Sequence, residues 1–185
     1  MRQPVARASA ALALVLLLAR GGGAGPLLPA PLPAETEQRY AAAIEALRRG
    51  DAGPALREFA TPEARGSLIG DYAQYLHAEA LLRTGDLAGA RGAAEATADE
   101  FGGRRVGRSA LLLAAYAAAR AGDEARDDAL LRRFLLAHAD SPEMPIALYL
   151  LAESFEARGQ REKAAKTYRE LTLLAPASEY ADGAA

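Results

Sequence analysis

PIALYLLAESFEARGQREKAAKTYRELTLLAPAS, residues 145–178, decides how the rest of the chain is read. Leu148, Leu151, Ala152 and Phe155 fall at i, i+3, i+4 and i+7, so they share one face of a helix. Arg158-Gly159-Gln160 interrupts that pattern. Ala164, Tyr168 and Leu171 then build a second apolar face, and Pro176 ends it, because proline cannot continue a helix. The stretch predicts two antiparallel helices joined by a short turn. A lone hairpin cannot bury both apolar stripes, so the unit requires neighbours.

Neighbours of the same kind precede it. Gly50, Gly85, Gly122 and Gly159 are spaced 35, 37 and 37 residues apart, and the first three are each followed by aspartate. Glycine at a helix end accepts a left-handed backbone, and Asp51, Asp86 and Asp123 suit the start of the next helix. The predicted pairs are about Glu35–Arg49 with Pro54–Phe59, Asp71–Thr84 with Leu87–Phe101, and a pair beginning near Val106. In that third pair Leu111, Leu112, Ala115 and Ala118 face inward from one helix, and Leu130, Leu131, Phe134 and Leu135 from the other. Arg65–Gly70 reads as less regular. Ser141-Pro142 reads as a helix cap and first position ahead of the fourth pair. Ala55, Ala90 and Ala164 stand five residues after their glycines, where a small side chain lets paired helices approach. Asp127 breaks this match, which leaves Ala125 or Leu130 to carry the packing there.

Composition agrees with a folded chain: 51% hydrophobic and 25% charged residues are globular rather than disordered. Aromatic residues make up 6%, too few for stacking platforms. A net charge of −2 gives no electrostatic footprint for nucleic acid. The absence of cysteine excludes zinc–thiolate sites, disulfides, a thiol nucleophile and a lipidated cysteine.

Residues 1–25 read as a secretory signal: Arg2 and Arg7 precede an apolar run, Ala8–Ala19, and Gly22 and Ala24 suit the positions before a cut. The run is short for a bilayer crossing, although an uncleaved anchor is the alternative reading. Export places the mature protein in the periplasm, with no stable membrane span after cleavage. Pro26, Pro29, Pro31 and Pro33 make residues 26–34 an extended linker. Repeats are expected over residues 35–182, and residues 183–185 read as a truncated tail.

The last unit resembles the tetratricopeptide repeat at Ala152, Phe155, Gly159, Ala164, Tyr168, Leu171 and Pro176. Ala78, Gly85 and Ala90 match in an earlier unit, with Ala115 and Gly122 in between. The resemblance implies an all-α solenoid of antiparallel helix pairs, with a concave surface for a peptide, protein or glycan. GDYAQYLHAEALLRTGD, SPEMPIALYLLAESFEARG and APASEYADGAA look like the helical N-terminal region of soluble lytic murein transglycosylases. That resemblance implies a substrate-shaping role beside a separate catalytic domain. The family's catalytic glutamate lies in a Glu-Ser motif. Glu153-Ser154 imitates it inside a repeat helix, without the downstream Ser/Gly-rich and Met-Gln signature, so Phe155 reads as core.

No catalytic, cofactor-binding or metal-binding residue is assigned. His77 and His138 stand apart with no ligand cluster, and His138 suits a helix end where positive charge is favoured. Asp127-Asp128 could bind a cation weakly, and reads foremost as a solvated face. Gly21–Gly23 and Gly102-Gly103 lack the lysine and hydroxyl of a phosphate loop. Arg104, Arg105 and Arg108 form a basic patch that is either a solvated turn or a contact for an anionic polymer. The expected function is a noncatalytic scaffold or binding module of the cell envelope whose partner is an envelope protein or a peptidoglycan strand. The alternatives are the substrate-shaping part of a transglycosylase and an envelope-assembly or cell-division adaptor.

Overall fold

A computed structural model describes residues 32–182 of the chain. The expected signal, most of the expected linker and the expected tail lie outside these residues. Among the described residues ten helices follow one another: α1 (Ala34–Arg48), α2 (Gly53–Phe59), α3 (Pro62–Arg65), α4 (Gly70–Thr84), α5 (Leu87–Phe101), α6 (Arg105–Ala121), α7 (Glu124–Ala137), α8 (Met144–Ala157), α9 (Arg161–Leu174) and α10 (Glu179–Asp182). No strand occurs among the described residues. The hairpins α1/α2, α4/α5, α6/α7 and α8/α9 stack consecutively as an all-α solenoid.

The turns are the most regular feature. Gly50, Gly85, Gly122 and Gly159 have φ of +95°, +86°, +75° and +71°, a region where a Cβ is strained. Each turn closes in the same way. The glycine N–H donates three residues back and the next N–H donates five back, as in Gly85 to Leu82 (3.2 Å) and Asp86 to Leu81 (3.0 Å). These paired bonds satisfy carbonyls that a helix end leaves open. The aspartates then serve the following helix. Asp86 Oδ1 accepts from Gly89 N at 2.9 Å and Asp123 Oδ1 from Arg126 N at 3.1 Å. Asp51 accepts from Gly53 N at 3.0 Å, ahead of the α2 cap, and the Gln160 side chain makes no cap.

Alanines set the spacing inside each hairpin. Ala43, Ala78, Ala115 and Ala152 stand seven residues before the four glycines and are at most 1% exposed. Ala55, Ala90 and Ala164 are buried. One apolar cluster joins α1 to α4 through Tyr40, Leu47, Phe59, Ala73 and Ala80. A second uses other residues of α4, including Tyr75, Ala78 and Leu82, and runs through Leu111, Leu131 and Phe134 to Leu151 and Phe155. α6 is buried on nearly every side, so it is the centre of the stack.

Two boundaries differ from the sequence reading. Thr61-Pro62 does more than interrupt: Thr61 Oγ1 accepts from Ala64 N at 3.2 Å and caps the short α3. Ser141 and Pro142 lie in a turn before α8, which starts at Met144 with Pro145 in its first turn. Ser141 therefore does not cap α8. In the third hairpin Leu130 is buried and Ala125 is exposed, so Leu130 packs there.

Candidate functional site

Asp127 on α7 occupies the slot filled by alanine in the other hairpins, and it is only 2% exposed. The Asp127-Asp128 pair is thus not a solvated face. Ser154 Oγ, on α8 of the next hairpin, donates a hydrogen bond to Asp127 Oδ2. Burial raises the Asp127 pKa above its ordinary value of 3.8, while Ser154 and the charge of Arg158 oppose the rise. Asp128 is half-buried, and its carboxylate lies 2.7 Å from Arg132 Nε and 3.7 Å from Arg158 Nη2.

A small pocket opens beside Asp127. Tyr116 and Arg120 of α6, Asp127 of α7, and Leu150, Glu153 and Ser154 of α8 line it. The helical period places these groups together: Tyr116 and Arg120 are i,i+4 on one helix, and Leu150, Glu153 and Ser154 are i, i+3 and i+4 on another. Tyr149 Oη donates to Glu153 Oε1 at 3.1 Å. Glu153-Ser154, which imitates a catalytic pair, therefore belongs to a lining of mixed polarity between two hairpins.

Phe155 is core, 5% exposed, with the guanidinium of Arg158 5.0 Å from its ring centre. Ala152 is fully buried beside it. Tyr168 is half-buried and joins an aromatic group: Tyr149 lies 6.1 Å from Tyr168 and 5.6 Å from Tyr180, ring centre to ring centre. Burial and neighbouring glutamates push Tyr149 and Tyr180 up to about 12 and raise Tyr168 as well, so all three hydroxyls stay protonated at neutral pH. Pro176 is exposed, two residues past the end of α9.

The three arginines singled out from sequence are engaged with carboxylates of the chain itself. Arg104 Nη1 lies 3.1 Å from Asp71 Oδ2. Arg105 Nε and Arg108 Nε lie 3.6 and 3.0 Å from the oxygens of Glu143, whose side chain is fully buried. Arg105 and Arg108 thus tie α6 to the turn before α8. Glu143 was not singled out from sequence; its signal was a lone acid one repeat length beyond two arginines.

His77 is half-buried, and its Nδ1 makes no hydrogen bond. Burial and then Arg65 lower its pKa. His138 follows α7, with its ring 5.2 Å from Phe134. Burial, then Arg108, lower its pKa, and Glu143 works against them. Among the described residues no group of three or more His, Cys, Asp or Glu side chains is placed to hold a metal ion. No described helix is long and apolar enough to cross a membrane.

No protein-family model matches this chain, and no curated protein matches its sequence.

Proposed function

We propose that the chain is a noncatalytic scaffold or binding module of the bacterial cell envelope, built from tetratricopeptide-like hairpins. The observation that carries this reading is the recurrence of one hairpin design. The four turns close alike, and an alanine stands seven residues before each left-handed glycine. Stacked repeats of this kind make an extended surface from many small contributions, which suits holding a polymer or protein rather than enclosing a substrate. The envelope location rests on residues 1–25, with their basic start, apolar run and small residues. An envelope protein or a peptidoglycan strand is the partner in this reading.

Fractionation of cells expressing the full chain, with intact mass measurement, tests the location. The reading expects a periplasmic form whose N-terminus lies near residue 25. Full-length protein confined to the cytosol contradicts it. Co-sedimentation with purified sacculi and pull-down from envelope extracts then separate the two partner classes. Muropeptide enrichment favours the strand, and a stoichiometric protein complex favours the adaptor.

A second reading, the substrate-shaping region of a lytic transglycosylase, draws on the three sequence stretches that resemble that family. It expects the chain to bind glycan strands without cleaving them. Digestion of sacculi by the chain alone contradicts both readings.

A further inference from the structure

We propose that the pocket between α6 and α8 receives the side chain of a lysine from a bound peptide, with its ammonium directed at Asp127. The inference rests on the reading of the chain as a binding module and names what one position on its surface recognises.

Position and chemistry both point this way. The other hairpins place Ala55, Ala90 and Ala164 in the slot of Asp127, and all three are at most 4% exposed. The fold therefore accepts alanine there, and a buried carboxylate is not needed to close a hairpin. Taking a carboxylate out of water is costly unless partners replace the water. An ionised carboxylate accepts about four hydrogen bonds. The side-chain donor to Asp127 within the chain is Ser154. Arg158, the cation whose charge it feels, directs its Nε to the Ser154 carbonyl at 3.0 Å instead. A ligand cation can supply what the slot still accommodates.

The walls fit a lysine rather than a bare ion. Tyr116 and Leu150 offer apolar surface to an alkyl stem, and Asp127, Glu153 and Ser154 put oxygen acceptors around the pocket. Arg120 is exposed on the same lining. A free amine gains nothing from it, whereas a peptide carries carbonyl oxygens next to the lysine side chain, and a guanidinium donates to those.

The test is a nuclear magnetic resonance titration of the full chain with N-acetyl-lysine N-methylamide. N-acetyl-norleucine N-methylamide, which keeps the stem and lacks the ammonium, is the control. The expected result is saturable shifts of the Asp127, Glu153 and Ser154 amides, with the lysine probe binding about tenfold or more tighter than norleucine. Both Asp127→Ala and Asp127→Asn should remove that preference. The alanine variant matches the other hairpins, and the asparagine variant keeps the shape if alanine disturbs the fold. Equal binding of the two probes, no saturable shift, or a lysine preference that survives both variants overturns the proposal. None of those outcomes touches the location and co-sedimentation tests of the scaffold reading.

Discussion

The joint between the second and third hairpins and the joint between the third and fourth are built differently. At the former, Gly107 of α6 passes so close to the Phe101 carbonyl at the end of α5 that a Cβ there would overlap it. Gly70 makes the same approach to Arg65 one joint earlier. The corresponding residue of α8, 37 positions beyond Gly107, is Met144, so this close backbone approach is not available to the last hairpin. Charges differ too. α5 is linked to the Asp123 cap of α7 by Arg91 at 2.6 Å, and to α7 itself by Glu95–Arg126 and by Asp99–Arg133 at 2.6 Å. One repeat after Asp99 stands Leu136, 87% exposed, and one repeat further Leu173, 80% exposed. The last joint instead uses buried polar groups: Glu143 held by Arg105 and Arg108, and Asp127 held by Ser154. The same hairpin design is thus joined by backbone proximity and a surface ladder at one end, and by buried carboxylates at the other.

The largest effect is expected at Glu143. Replacing it with alanine leaves Arg105 and Arg108 without their shared buried partner. Breaking a fully buried pair typically costs about 3–5 kcal/mol, and partial exposure of both arginines reduces this to about 2–3. Urea unfolding should show that loss. A change below about 0.5 kcal/mol would mean the clamp does not hold the joint.

Gly107→Ala should cost about 1–3 kcal/mol, because the new methyl must push α6 away from the end of α5. Met144→Ala at the equivalent place changes little by comparison and tests whether close approach is confined to the earlier joints. Equal losses from the two variants would erase the distinction.

Asp127→Ala is expected to change stability at neutral pH by no more than about 1 kcal/mol, since alanine already fills the other three slots. Its pH signature is the sharper readout. The folded-state pKa of Asp127 is raised, so folding takes up protons through this group. Its charged form opposes folding, and stability is lost as pH rises from its ordinary value of 3.8 through the folded pKa. Comparison of wild type and variant across that window should show this loss in wild type alone.

The smallest effect belongs to the surface ladder. Asp99→Ala should cost about 0.2–1 kcal/mol at low salt and less at high salt, because both partners are exposed. A salt-independent loss above 1 kcal/mol would make the ladder, rather than the glycine approach, the main tie at that joint.

Much of this architecture was legible in the sequence, because its signals are local. A left-handed glycine followed by aspartate marks a turn wherever it stands, and apolar residues at i, i+4 and i+7 mark a buried face. The joints were harder to read, because they depend on residues one repeat apart. Arg105 and Arg108 looked like a surface patch until Glu143, from the turn before α8, was placed against them. Asp127 stood out as a break in the alanine row, but its burial follows from α8 covering it, which no local pattern states. Ser141 misled for the opposite reason. Ser-Pro suits a helix start, yet the chain turns there first and begins α8 at Met144.

Native-state hydrogen exchange with increasing denaturant tests the unequal joints most directly, since repeat stacks can open in parts. Amides of α8 and α9 should exchange through an opening of lower free energy than those of α4 to α7, and Glu143→Ala should lower the first further while sparing the second. A single shared opening free energy for all these helices, lowered uniformly by Glu143→Ala, would contradict the account.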